Sequence, residues 1–202
     1  SRRECMEVRR NMKSNTFKEY IQPVIVLVGI CLVITFALAY VNSITAPIIA
    51  ENTARSQDAA RAELLPAADS FEQYDGDLVV LSPDQVYVSD CYVATNGSGI
   101  VVTVESSSYG GLLTAMVGID NSGAITGMQV TAHGDTSGLG TKAHAASYLE
   151  QYVGVTELAG ADYISADPAV SAETGATVSS NAMYQAANAA LQQYQAVQGG
   201  AN

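Results

Sequence analysis

From Val24 to Val41 the chain carries no charged residue, and nearly every one of these 18 positions is apolar. As a helix the run covers ~27 Å at ~1.5 Å per residue, close to the ~30 Å hydrocarbon core of a bilayer. The pattern predicts a membrane-spanning helix over residues 21–45. A cleaved signal peptide is the rival reading, with Ala37-Leu38-Ala39 as a small-x-small site. The apolar run, however, exceeds the ~7–15 residues of a signal h-region, so an uncleaved anchor is expected. The chain begins at Ser1, and Met6 and Met12 are both candidate starts.

After the span the periodicity changes twice. Residues 46–70 read as a helical linker, with Ile48, Ile49, Ala59, Ala62 and Leu65 as its apolar stripe. Pro47 is expected to kink it, and Leu65-Pro66 to end it. Residues 71–198 read as a separate domain. Asp77–Leu81 is a short strand. Val86–Thr95, Ile100–Ser106, Leu113–Ile119 and Ile125–Thr131 then form a four-strand meander, with Val86, Val88 and Tyr92 evenly spaced on the first. Asn96-Gly97-Ser98-Gly99 and Asn121-Ser122-Gly123 are turn signals, and such short connections require antiparallel pairing. Two helices follow: Thr141–Tyr152, with Thr141 as N-cap, and Thr177–Val197, where Met183, Ala186, Ala187, Ala190, Leu191 and Tyr194 share a face. The fold class is therefore α+β, an antiparallel sheet flanked by helices and preceded by one N-terminal transmembrane helix.

Charge orients the anchor. Of nine Lys and Arg residues, Arg2, Arg3, Arg9, Arg10, Lys13 and Lys18 precede the span. The positive-inside rule then keeps residues 1–20 in the cytoplasm and places the rest on the extracytoplasmic face, as a single-pass protein of the cell membrane. Seventeen of the 20 acids follow the span, against only Arg55, Arg61 and Lys142. So acidic a domain excludes nucleic-acid binding, which needs Lys and Arg for the phosphates. Cys5, Cys31 and Cys91 fall on the inner side, in the span and outside it, so no disulfide forms within the exported part. No Cys/His cluster points to a metal.

One stretch carries chemistry. Ser171-Ala172-Glu173-Thr174-Gly175-Ala176-Thr177-Val178-Ser179-Ser180 leads into the last predicted helix. Small residues allow close backbone approach, and a helix N-terminus offers unpaired N–H groups to a phosphate. A well-capped helix start with no ligand is the competing reading, since Ser and Thr favour that place anyway.

The stretch resembles the flavinylation motif of the FMN-binding domain family, Asp-x-x-Ser/Thr-Gly-Ala-Thr/Ser-x-Ser/Thr, with Ser171 at the position of the Asp. Tyr109-Gly110-Gly111-Leu112-Leu113 is similar to that family's strand entry. His133-Gly134-Asp135-Thr136-Ser137-Gly138-Leu139-Gly140 is similar to its His-x-Glu-Thr-Pro-Gly-Leu-Gly loop, with Asp135 at the Glu and Ser137 at the Pro. Leu64-Leu65-Pro66-Ala67-Ala68-Asp69-Ser70-Phe71 is similar to the region after its anchor helix. With the anchor, this order resembles the G subunits of Rnf complexes. The longer C subunit of the sodium-pumping NADH:quinone reductase is second.

The resemblance implies FMN joined through its phosphate to the Thr177 hydroxyl. Thr174, Gly175, Ala176, Val178 and Ser179 would surround the attachment point, and Thr136, Gly138, Leu139, Gly140 and Tyr109 would complete the site. His133 is expected to be structural and His144 an ordinary helix residue. The resemblance also implies a flavin transferase that attaches the group, and membrane and redox partner subunits in an ion-translocating ferredoxin:NAD+ oxidoreductase. A free-standing electron shuttle is the alternative. A redox relay of this kind needs no catalytic side chain of its own.

Overall fold

Residues 21–160 and 162–199 are described by the computed structural model; the expected cytoplasmic segment 1–20 lies outside them. The chain divides into two units, Ser1–Arg55 and Ser56–Asn202.

The described part of the first unit is helical and belongs to α1 (Gln22–Leu64). Its residues are exposed throughout, including Val24, Leu32, Val33 and Phe36. From Val24 to Val41 the helix is uncharged on every side and exposed, which suits lipid rather than water. It is long and apolar enough to cross a membrane. Pro47 lies inside the helix, which continues to Leu64.

The second unit is built on an antiparallel sheet. Strands β3 (Val86–Ala94), β4 (Gly99–Ser108), β5 (Gly111–Asp120) and β6 (Ile125–Ala132) form the expected meander in spatial order. Two short strands, β1 (Phe71–Gln73) and β2 (Val80–Ser82), pair with opposite ends of β3. The strand expected at 77–81 is thus displaced by a few residues, and β1 carries no alternation that would have marked it. A bulge at Ser89 changes the parity of β3, so Val88 and Cys91 share one face. Tyr92, expected beside Val86 and Val88, lies instead beneath the Arg61 guanidinium, 3.8 Å from its ring centre.

Both faces of the central strands are covered. On one, α3 (Thr177–Gly199) lays Ala182, Met183, Ala186, Ala187, Ala190 and Leu191 against Ile100, Val102, Val104, Ala115, Val117 and Ile119. Five alanines along that helix are buried, and their small side chains let it lie close to the sheet. On the other face Ala60, Leu64 and Leu65 pack on Ala94, Val101 and Met116. That double coverage explains why β4 is buried at nearly every position instead of alternating.

The expected Thr141–Tyr152 helix is broken. A 3₁₀ turn (Gly140–His144), one turn of α2 (Ala146–Leu149) and a second 3₁₀ turn (Glu150–Tyr152) replace it. Thr141 does not cap a helix; its hydroxyl accepts the Gly138 N–H at 2.8 Å.

Candidate functional site

The start of α3 is prepared by a left-handed residue. Gly175 has φ +82°, a conformation that a side chain resists. The turn closes with the Ala176 N–H donating to Glu173 O, and the Ser180 hydroxyl accepts the Glu173 N–H. The first intrahelical bond runs from Ser180 N–H to Ala176 O. The N–H groups of Thr177, Val178 and Ser179 precede it and have no carbonyl of their own helix to meet. No acidic side chain occupies this first turn. Thr177 is exposed and is the first residue of the helix.

Opposite lies the 133–140 loop. Gly138, at φ +78°, turns it so that Leu139 projects and Gly140 is buried. Loop and helix start together enclose a cleft of about 350 Å³, open on one side. Tyr109, Thr136, Leu139, Gly140, Gly175, Ala176, Thr177, Val178 and Ser179 line it. Its volume lies at the lower end of the ~300–1,000 Å³ usual for small-molecule sites. Tyr109, Leu139 and Val178 are large, apolar and at least about half exposed, so the mouth offers flat, water-repelling walls. Nine of the eleven residues singled out in the sequence thus meet in one place. Thr174 and Gly138 do not line the cleft; they belong to the turns that shape it.

Behind the wall is a polar cluster that the sequence did not announce. The Asp135 side chain is fully buried. It accepts hydrogen bonds from the Ser108 hydroxyl at 2.6 Å and the Gly110 N–H at 2.7 Å. The Ser179 hydroxyl stands 3.1 Å from that of Ser108. His144 Nε2 lies 3.0 Å from Asp135 Oδ2, and its Nδ1 is buried without a hydrogen-bond partner among the described residues. The exposed His133 ring sits 4.7 Å from that of His144. His144 is therefore not an ordinary helix residue: it lies in a 3₁₀ turn, with a side chain only 7% exposed. Burial raises the Asp135 carboxyl, but bonds from Ser108, Gly110 and Ser179, with the charge of His144, outweigh it and hold it below the usual carboxylate value. Burial lowers the His144 imidazole, helped by His133 and opposed by Asp135, so it stays below its ordinary value.

Ser171 lies on the far side of the motif, in a groove of about 470 Å³ that Lys142, Tyr148, Gln151 and Glu173 also line. Its main chain is clamped: the Gln151 side chain accepts its N–H and donates to its carbonyl, and the Tyr148 hydroxyl donates to the same carbonyl. Cys91, on β3, is buried, and burial, then the neighbouring Asp90, push its thiol up to about 12, too high for reactivity. Among the described residues no group of His, Cys, Asp and Glu gathers around a point where a metal would sit.

Residues 108–192 match the FMN-binding domain family. The matched span begins at Ser108 and takes in the 133–140 loop and the start of α3, the parts that make the cleft. Across a longer span the chain is similar to curated G subunits of ion-translocating complexes. It is 29% identical over 188 residues to the G subunit of the Na(+)-translocating ferredoxin:NAD(+) oxidoreductase complex of Acetobacterium woodii, covering 85% of this chain and 89% of that one. It is 27% identical over 177 residues to the G subunit of the proton-translocating ferredoxin:NAD(+) oxidoreductase complex of Clostridium ljungdahlii, covering 84% and 89%. A third relative, the G subunit of the ion-translocating oxidoreductase complex of Methanosarcina acetivorans, is 29% identical over 185 residues, covering 90% and 98%.

Proposed function

We propose that this chain is the membrane-anchored flavin subunit of an Rnf-type ion-translocating ferredoxin:NAD+ oxidoreductase, carrying FMN through a phosphate ester on Thr177. One observation carries the reading. The Thr-Gly-Ala-Thr turn and the Gly-Leu-Gly loop, far apart in sequence, wall one cleft together with Tyr109. The residues fit the group chemically. Unpaired N–H groups and the positive end of α3 suit a phosphate, and the exposed Thr177 would carry it. Tyr109, Leu139 and Val178 suit a planar aromatic ring, and Thr136 offers it a polar edge.

When bound, the flavin supplies the reversible electron acceptance that amino-acid side chains lack. The chain's own part is to hold and orient. The Thr177 ester prevents loss of the group from an exported domain. Gly175 and Gly138 set the two turns that face each other. Leu139 and Val178 would cover the bound group with apolar surface. In this reading residues 21–45 span the membrane with the N-terminus in the cytoplasm, and 46–70 connect to the domain at 71–198. The partners are the other membrane and redox subunits of the complex. A flavin transferase makes the attachment, and the groove at Ser171 and Glu173, beside the acceptor hydroxyl, is the face it would grip.

The test is fluorescence under ultraviolet light after denaturing electrophoresis, with the chain co-expressed with a flavin transferase. The wild type should fluoresce, Thr177→Ser should keep the band and Thr177→Ala should lose it. A band that survives Thr177→Ala overturns the assigned site. Co-purification with multi-span partners is expected; a solitary flavinylated chain would favour a free-standing shuttle.

A further inference from the structure

Ser179, Ser108, Asp135, His144 and His133 form a continuous polar file from the cleft to solvent. Ser179 lines the cleft, and its hydroxyl is 3.1 Å from that of Ser108. Ser108 is 2.6 Å from Asp135, Asp135 is 3.0 Å from His144, and the His144 ring is 4.7 Å from that of exposed His133. Gly140, also on the cleft wall, leaves Asp135 just behind it: a Cβ there would lie 2.9 Å from Asp135 Cβ and from Ser179 Oγ. The Asp135 carboxylate is paired with a buried histidine, and the second ring nitrogen of that histidine has no hydrogen-bond partner among the described residues.

We infer that the Asp135–His144 pair is the proton-binding group of this cleft: it takes up one proton from solvent, past His133, when the cleft gains negative charge. The inference rests on the flavin reading above. The balance is simple. One electron enters from a one-electron donor, which is oxidised, and the bound group is reduced. One proton joins a ring nitrogen of His144, making a buried imidazolium–carboxylate pair with Asp135. No bond forms on the bound group in this step. On reoxidation the charge in the cleft is withdrawn and the proton leaves.

The setting favours such a response. Asp135 and His133 are the charged or titratable neighbours acting on His144. The first turn of α3, which packs near the same segment, presents only hydroxyls and an apolar side chain. Lys142, on the same 3₁₀ turn, is exposed, and Tyr148 and Tyr152 follow on the next turns. In a buried site with so few competing charges, a charge appearing in the cleft is screened little. The pair starts with one negative charge and a neutral imidazole, so it has room for one proton near neutral pH.

The experiment uses the full chain in detergent, with flavin content verified by intact mass. Redox titrations from about pH 5.5 to about pH 8 bracket the ordinary imidazole value. The expected result is a reduction equilibrium that weakens as pH rises in the wild type and flattens in His144→Gln and Asp135→Asn. The difference should approach tenfold per pH unit, or ~59 mV for one electron. A second measurement guards against variants that fail to fold. With only two histidines in the chain, their ring signals can be followed by NMR in oxidised and dithionite-reduced wild type, with His133→Gln for assignment. His144 should be protonated at a higher pH in the reduced protein. Flavin-bearing protein with equal slopes in wild type and variants, or with a His144 titration unmoved by reduction, overturns the inference alone. Protein with no flavin by mass overturns the reading beneath it as well.

Discussion

Gly140 leaves no room for a side chain, because Asp135 Cβ and Ser179 Oγ would each lie 2.9 Å from an added Cβ. Neither can swing away without breaking the cluster behind the cleft. Gly140→Ala should therefore cost about 1–3 kcal/mol, the usual penalty of overpacking, and lower the yield of flavinylated protein. Urea unfolding and in-gel fluorescence check the two halves. Three hydrogen-bonded carboxylates set an acid limit. Asp120, Asp135 and Asp167 are held below their usual values by hydrogen bonds. Their folded pKa values lie below the unfolded value of ~3.9, so the stability they add is complete above it and lost as pH falls through the folded values. His144 is lowered as well. The unfolded chain then binds its proton first, and stability falls as pH drops below ~6.5. Thermal melts should show a gentle decline from neutral pH toward pH 5 that His144→Gln flattens, then a steep acid loss that it leaves in place. At this scale the sequence is partly legible. The motif residues can be picked out because their types and spacing carry the chemistry. Ser108 and His144 cannot, because partnership with Asp135 depends on a sheet edge and a 3₁₀ turn meeting, which no local pattern encodes. Ser171 is a further case. Its contacts in the groove are made by its main chain, so Ser171→Asp should fold normally and be flavinylated faster by a transferase that reads an acid there, as a time course of gel fluorescence would reveal.

Elements with a strong period are readable. The meander strands alternate or are β-branched, the turns carry Asn-Gly and Ser-Gly signals, and the last helix has its stripe at helical spacing. The Thr141–Tyr152 segment reads as one helix because an Ala-rich composition favours helix in isolation. The structure instead breaks it at Ala145, whose extended backbone ends one turn and starts the next. That break brings the His144 side chain into the Asp135 cluster. The bulge at Ser89 is invisible for a similar reason: an extra residue shifts parity without changing composition. The alanine face of α3 makes its own prediction. Ala186 is fully buried against the sheet, so Ala186→Leu should destabilise by about 1–3 kcal/mol through overpacking. Because α3 also carries Thr177, the cleft should loosen with it, seen as reduced flavin fluorescence anisotropy.

At the scale of the molecule, the two units make separate demands. The described part of the first is a helix with exposed apolar side chains. The second needs the end of α1, since Leu64 and Leu65 shield Val101 and Met116. A truncation beginning at Ser56 should stay folded and soluble. One beginning at Ser70 uncovers the second face of the sheet, loses about 1.5–3 kcal/mol for each buried leucine removed, and should aggregate. Circular dichroism and gel filtration of the two distinguish them. The transported ion is not legible at this scale. The relatives named for sodium and for protons are 29% and 27% identical to this chain. An electron carrier tethered beside the membrane would not in itself have to touch the ion. Thr177 is the residue on which the flavin reading turns. The most direct measurement is mass spectrometry of the peptide spanning Thr177, from full-length protein made with a flavin transferase. The expected result is the added mass of FMN on the Thr177 side chain; an unmodified Thr177, or FMN on another residue, would contradict it.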